Sequence, residues 1–511
     1  MIPPWGPLSL PRGEQRRDRT SARNTNQVKA VALFLPRASL IAPILAILTF
    51  AAALTLTTTD AAAQPFGDPS GRVPVIQYVL DDVEINGLDK TSPDLVRSII
   101  GLEAGERFGL FDLEIVKRRL LGTGYFLSVT PSLKKSQRRG HVLLVITVEE
   151  RNTILLSDLF VGVSGDRGAW GGVDIVEGNL LGRGLTLGGA FVASRDQLAT
   201  RLLLADTQAF ALPLRLSGLA HYASGRESLF VADNTPLPPG RAEPLSLNFE
   251  RLGGELGAGF YAAPLLGVFV DLGVETLQGR SDLPDLTDNL LDQGRSLHTS
   301  LRMTFDHDTR DSPYVPTSGY RLNLSIQGSS ALMGSDYDYL KLVLRSALYK
   351  SLGITQAGHV LRFDLFGGIV LGQPPFFERF FVGDASALVP SRDLGLNFSA
   401  IGSPDFLHTG AGNLAFETVV AGLGLEYGVP IIEGPAPFYR VEFFVAAGLF
   451  GMTTPGDLPG DRRVNLAVDP VLDPNASVFP IDMTFNIGFK AETPIGIFGL
   501  SFANALALAP L

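Results

Sequence analysis

The sequence predicts a mainly β protein: a transmembrane antiparallel β-barrel of about 16 strands preceded by a small α+β module. In residues 296–327, Leu301, Met303 and Phe305 alternate with Arg302, Thr304 and Asp306. Further on, Tyr320, Leu322, Leu324 and Ile326 alternate with Arg321, Asn323, Ser325 and Gln327. A period of two puts the apolar residues on one face of each strand and the polar ones on the other. The intervening DTRDSPYVPTSG is turn chemistry, so the stretch is an antiparallel hairpin with one apolar and one wet face. Hydrophobic residues make up 45% of the chain. Yet no stretch after residue 63 approaches the roughly 20 unbroken apolar residues of a spanning helix. A soluble β-sandwich shares the alternation. Only a closed tube gives water to one face and lipid to the other while leaving no backbone edge unpaired.

Composition narrows the class. There are no cysteines, which excludes disulfide scaffolds, thiolate metal sites and cysteine nucleophiles and suits passage through an oxidising compartment. The net charge is −10, and residues 1–63 carry a net +4, leaving −14 on the remainder. Nothing in that balance favours nucleic acid.

Residues 1–63 are expected to be a secretory signal, with an apolar core ASLIAPILAILTFAAALTL and a small-residue site at Ala61-Ala62-Ala63. A retained anchor helix is the alternative. Residues 64–74 form a polar linker. Residues 75–151 order themselves as strand, helix, helix, strand, strand: VIQYVLDDVEI; a helix opened by Ser92-Pro93-Asp94 and stopped by Gly101; FDLEIVKRRLLG; then FLSVTPSLKK and HVLLVITVEE. The basic turn between the last two, with Lys134, Lys135, Arg138 and Arg139, reads as a solvated hairpin tip, with a client or anionic lipid as the alternative contact. Residues 152–511 read as strands near 154–164, 171–178, 185–194, 198–208, 213–223, 245–262, 266–280, 296–306, 319–331, 337–349, 358–371, 412–428, 437–451, 480–490 and 495–506. The long Pro/Gly/Asp segments 233–244, 281–294, 372–412 and 451–480 suit external loops. The short connections 194–197 and 263–264 suit periplasmic turns.

Several motifs then make a resemblance specific. The N-terminal module, with Gly122-Thr-Gly-Tyr-Phe126 leading into its second strand, resembles a POTRA domain. In the remainder, Gly178-Asn179-Leu-Leu-Gly182-Arg-Gly184 resembles the N-L-x-G-x-G turn of the BamA/TamA outer-membrane superfamily. Asp306, Arg310-Asp311, Pro316-Thr317 and Gly319 match its D-x-R-D…P-T-x-G hairpin. Glu426 to Pro430 resembles its E-x-x-x-P strand end, and Thr493-Pro494-Ile495-Gly496 its T-P-I-G turn. The resemblance covers residues 75–511. It implies outer-membrane assembly, insertion or translocation of polypeptides by strand pairing, without catalysis or cofactor. Clients are unfolded outer-membrane or secreted polypeptides, pairing with the edge of the first barrel strand, so Ile154, Leu156, Leu159 and Val161 are the client-binding candidates. Periplasmic or lipoprotein partners would act through the POTRA domain, and outer-membrane lipids would surround the barrel. The alternative is a passive pore or structural barrel that has lost the insertase latch.

That alternative rests on departures from the family pattern. The sixth external loop opens in family style, Phe376-Phe377-Glu378-Arg379-Phe380-Phe381-Val382-Gly383, but Val389 and Pro390 stand where the resemblance implies an R-G-[FY] tip that enters the lumen. Arg392 is the remaining guanidinium where the tip arginine would be, and Asp306, Arg310, Asp311 and Glu426 are the other lumen or loop latch candidates. Ala446 occupies the position of a family Asp. The sequence stops at Ala509-Pro510-Leu511 where the family has one more strand, giving a count of about 15 against the even number expected for periplasmic termini. Miscounting, truncation and unusual closure all stay open. Asp306, Asp308, Asp311 and His307 read as structural rather than metal-binding, and the six histidines show no paired ligand spacing.

Overall fold

The computed structural model describes residues 78–164, 168–209, 214–229, 245–263, 265–281, 291–353, 358–381, 383, 392–398, 406–407, 416–434, 436–454 and 481–503. The expected signal and linker, residues 1–74, lie outside them, as do Val389 and Pro390.

The N-terminal module contains β1 (Tyr78–Asn86), α1 (Pro93–Ile100), β2 (Arg107–Phe108), α2 (Leu110–Gly122), β3 (Phe126–Lys135) and β4 (His141–Glu150). The sheet order is β2-β1-β4-β3, with β1 parallel to β4. Sequence periodicity missed the two-residue β2, which is too short to show one. Pro93 starts α1 where no backbone donor is needed, and Gly101 ends it at φ 66°. At the start of α2, Asp112 accepts the Gly109 N–H at 2.7 Å. Val96, Ile100, Val116 and Leu120 from the helices pack on Leu80, Leu144 and Ile146 of the sheet. This core of fully buried aliphatics lets the module fold as a layer of its own.

Fifteen strands follow: β5 (Ile154–Ser164), β6 (Gly168–Leu180), β7 (Leu185–Ala193), β8 (Leu198–Asp206), β9 (Leu214–Leu229), β10 (Leu245–Ala263), β11 (Leu266–Ser281), β12 (Gly294–Asp308), β13 (Gly319–Ser329), β14 (Asp338–Ser351), β15 (Val360–Gln373), β16 (Val419–Glu433), β17 (Arg440–Thr453), β18 (Ile481–Thr493) and β19 (Gly496–Ala503). Each pairs with the next, so a single antiparallel sheet runs from β5 to β19. The sheet curls into a nearly closed barrel. In the hairpin of β12 and β13, Phe305 pairs with Leu324 and Met303 with Ile326, while Asp306 pairs with Asn323. The alternation thus stays in phase across the ladder.

Outward faces carry Leu252, Leu256 and Phe260 on β10, Leu272 and Val274 on β11, and Leu301 and Met303 on β12, all exposed. Between them Arg251, Glu255 and Arg302 point inward, Arg302 pairing with Glu255 and Arg251 with Glu275. So much exposed apolar surface is compatible only with lipid around the tube. Among the described residues no helix is long and apolar enough to cross a membrane; the crossing is made by strands.

Strand alternation fixes which connections share an end. Gly182 lies against the module, so β6, β10, β12, β14, β16 and β18 all end at the module end. The 194–197 turn, expected there, lies at the opposite end, because β7 runs away from the module. Short length alone does not assign a turn to a side.

Candidate functional site: the seam and the filled lumen

Three elements meet where the module joins the barrel. Arg151, in the link between β4 and β5, is buried with its Nη1 3.0 Å from Glu492 Oε1 at the end of β18. Its guanidinium lies 3.9 Å from the Tyr314 ring centroid and 5.7 Å from that of Tyr439. Lys90 Nζ donates to Glu177 at 2.9 Å and to Thr153 at 2.7 Å. Burial alone would raise the Glu150 carboxyl, but the backbone N–H groups of Lys90 and Thr91 donate to it and hold it below its ordinary value.

The 178–184 motif is the barrel's half of this joint. Asn179 is fully buried; its Nδ2 donates to Thr91 Oγ1 at 2.9 Å and its Oδ1 accepts the Gly184 N–H at 2.8 Å. Gly182 accepts the Ser92 N–H at 2.9 Å and sits at φ 69°, where a Cβ would fall 1.9 Å from the Lys90 carbonyl oxygen. Only glycine fits so close an approach in that conformation. The 309–318 turn is the second docking piece: Asp311 accepts the Thr317 and Ser318 N–H groups, Pro316 is buried, and Gly319 at φ 94° would meet the Thr309 carbonyl at 2.3 Å if it carried a Cβ.

The first and last described strands meet at this same end. The Leu156 N–H donates to the Ile495 carbonyl at 2.7 Å, and Asn152 Nδ2 donates to the Pro494 carbonyl at 2.9 Å. Gly496 (φ 145°) would place a Cβ 2.5 Å from Leu156 O, which explains the glycine after Pro494. Fourteen antiparallel steps separate β5 from β19, so the two run in the same direction. Beyond Leu156 no ladder joins them among the described residues. Ile154, Leu159 and Val161 are exposed on the outer face, Val161 at 75%, and Leu156 is half-buried at the contact. Phe160 points inward.

The far half of the lumen holds the described parts of the connection between β15 and β16. Its start, Phe376–Glu378, forms a 3-10 turn in which Phe376 is fully buried. Phe376 meets Phe249 (5.0 Å between centroids), Phe377 (5.5 Å) and Phe416 (5.2 Å). Residues 392–398 reach the opposite wall: Phe398 stacks on Trp170 at 5.4 Å, Asn397 donates to Glu227 at 2.9 Å, and Leu396 is fully buried beside Gly225. Gly383 is buried in the same connection. Beneath this plug, towards the module, a cavity of about 550 Å³ is lined by Arg310, Arg321, Arg345, Arg362, Asp364 and Glu426, among others. Gly422, Gly424, Ala446 and Gly448 leave its other wall without bulk.

The latch candidates do not form one cluster, although Arg310 and Glu426 line the same cavity. Arg392 lies over Phe381 (5.5 Å) and Phe416 (5.8 Å) in the plug. Asp306 pairs with Arg321 at 2.8 Å and accepts from Asn323 at 3.1 Å near the module end of the barrel. Arg310 holds Asp308 at 2.7 Å, Asp311 caps its own turn, and Glu426 pairs with Lys490. Pro430 falls at the register shift between β16 and β17, where a residue without an N–H costs no ladder bond. Lys134 and Arg138 of the basic turn pair with Glu84 and Asp81 of the module itself, both at 3.5 Å.

Sequence reasoning missed the residues that seat the plug. Glu275 accepts Arg251 Nε at 2.9 Å, His221 Nε2 at 3.1 Å and His298 Nδ1 at 2.7 Å. Tyr339, Gln327, Lys341 and Glu378 continue the network. One signal was available: four phenylalanines in FFERFF are too apolar for a loop in water. Arg151 gave none, since its partner lies 341 residues away.

A tube with a lipid-facing outer surface, a polar interior and a docked α+β module at one mouth defines an outer-membrane barrel protein with a periplasmic domain. The Omp85 superfamily domain matches residues 179–509, and a POTRA domain, described as surface antigen variable number repeat, matches residues 78–151. The chain belongs to the Omp85 superfamily, with its barrel in the outer membrane and its POTRA domain in the periplasm. It is 26% identical over 336 residues to the outer membrane protein assembly factor BamA of Nitratidesulfovibrio vulgaris, covering 62% of this chain and 38% of that protein. The chain thus spans well under half the length of that relative. Among solved structures, CdiB from Escherichia coli is similar in fold at a TM-score of 0.52, with 10% identity over 83% of this chain and 72% of that one. BamA from Haemophilus ducreyi lacking POTRA domains 1-3 gives a TM-score of 0.46, 17% identity, and coverage of 84% and 81%.

Proposed function

We propose that this chain assembles or translocates polypeptides at the outer membrane by lending the edge of β5 to an incoming strand, and not by catalysis. The observation that carries this reading is the state of β5 beyond Leu156: a backbone edge that no other described strand ladders, beside an apolar outer face. In lipid, free N–H and C=O groups cost several kcal/mol each, on the order of the desolvation of an amide, so such an edge is a strong acceptor for any unfolded strand delivered to it. Strand addition satisfies both partners at once. The POTRA domain, fixed at the seam through Arg151, Lys90 and Asn179, is suited to hand over clients or to receive periplasmic or lipoprotein partners.

Cysteine crosslinking tests this reading directly, since the native chain has no cysteine. Leu159→Cys is expected to trap nascent outer-membrane or secreted polypeptides in cells. Absence of adducts, together with unchanged levels of every barrel and secreted protein after depletion, would overturn it. Planar-bilayer recordings separate the passive-pore alternative, which calls for a large steady conductance. The filled far half of the lumen predicts a small one.

A further inference from the structure

The resemblance implies an arginine at the tip of the sixth loop, and Val389 and Pro390 stand in its place. The described residues 376–381 and 392–398 nonetheless lie in the lumen, and the root of the loop shows how they are held. Glu378 accepts Gln327 Nε2 at 3.1 Å on one oxygen and Lys341 Nζ at 3.1 Å on the other. Lys341 also lies 5.3 Å from the Phe380 ring centroid. One residue earlier, Phe377 carries the Arg251 guanidinium on its face at 3.6 Å.

These two contacts are the ends of one circuit through the wall. Gln327 donates to the Tyr339 hydroxyl at 2.8 Å, and that hydroxyl lies 2.9 Å from His298 Nε2. His298 Nδ1 lies 2.7 Å from Glu275, which also binds Arg251. A carboxylate only accepts, so Nδ1 donates to it, and Nε2 is left to bond the Tyr339 hydroxyl. The path leaves the loop at Glu378 and returns to it at Phe377. The backbone pairs Phe380 and Glu417 in both directions, at 2.8 and 2.9 Å, and close the root of the loop.

We propose that Glu378 is the positioning residue that seats this loop in the barrel, doing with reversed polarity what the resemblance gives to a tip arginine. Here the loop brings the carboxylate, and the wall brings the cation, Lys341. Arg251 beneath Phe377 and the aromatic cluster complete the seat. The inference rests on the strand-pairing reading for the purpose of the loop, and on geometry alone for the manner of its attachment.

The test uses the refolded full chain with a single cysteine at Leu396→Cys, fully buried in the seated loop. Labelling by a membrane-impermeant maleimide then reports unseating. Glu378→Lys and Lys341→Glu are each expected to label faster by a factor on the order of a hundred, since each leaves a buried charge facing its like. The double reversal is expected to return to within a few-fold of the parent, on the order of one natural pair replacing another. Gel mobility with and without heating confirms that each barrel is folded. Should a reversal fail to fold, Glu378→Gln decides, because it keeps the shape and removes the charge. Parental labelling in the single variants, or no recovery in the double, overturns the proposal. Because labelling involves no client, a lost assembly phenotype with a seated loop counts against the strand-pairing reading and leaves the seat standing.

Discussion

Replacing Arg151 by alanine probes the joint on which both the module and the seam depend. The side chain is 3% exposed and its partner Glu492 10%, so solvent screening is slight. Removing one member of a buried pair typically costs about 3–5 kcal/mol, because the other charge stays desolvated. The stack on Tyr314 at 3.9 Å adds about 1–2 kcal/mol for a buried cation over a ring. The terms overlap, and a net loss of about 4 kcal/mol is expected. Arg151→Lys keeps the charge but loses the planar stack, and should cost about 1–2 kcal/mol. Glu492→Gln combined with Arg151→Met should cost less than the two singles together, with a coupling of about 2 kcal/mol. Urea titration of the refolded protein in micelles, followed by the gel mobility shift of the folded barrel, measures all five variants. A loss under about 1 kcal/mol for Arg151→Ala, or strict additivity in the cycle, would refute the assignment of a structural role to this pair.

Gly182→Val puts a Cβ against the Lys90 carbonyl and strains a left-handed residue, so the turn should withdraw from the module. Limited proteolysis at the 151–153 link is then expected to release the POTRA domain faster. Gly496→Val strikes Leu156 O, and disulfide trapping between Asn152→Cys and Pro494→Cys should fall while the barrel stays folded. Glu150 has a folded-state pKa below its ordinary value, so its contribution is present above that value and is lost as pH falls through the lower, folded one. Module release should therefore rise on acidification below the carboxylate range, and Glu150→Gln should flatten that profile.

Much of this fold was legible because alternation is a local signal. Met303 with Ile326 and Phe305 with Leu324 pair in the register their phase implied, and each of the fifteen anticipated strands has its counterpart. The turn motifs were legible as glycines and prolines, although their reason was not. Gly182 and Gly496 answer to the backbones of Lys90 and Leu156, which no local window contains. Ion partners were the least legible. Arg392 was matched to carboxylates by charge alone, whereas the barrel places Asp306 and Arg310 at the module end and the loop at the other. Glu378 stood in plain view within FFERFF, but its cation comes from β14, the strand beside β15, and only the inward turn of the loop root brings Glu378 to Lys341.

The shared direction of β5 and β19 carries a consequence for anything that settles between them. A guest strand hydrogen-bonded in antiparallel fashion to both rims must enter with its amino end towards the cell exterior and its carboxyl end towards the POTRA domain. A two-stranded guest would match one rim and meet the other in parallel. Under the proposed strand pairing, the two described rims would discriminate by chain polarity and by odd or even strand number before any side chain is read.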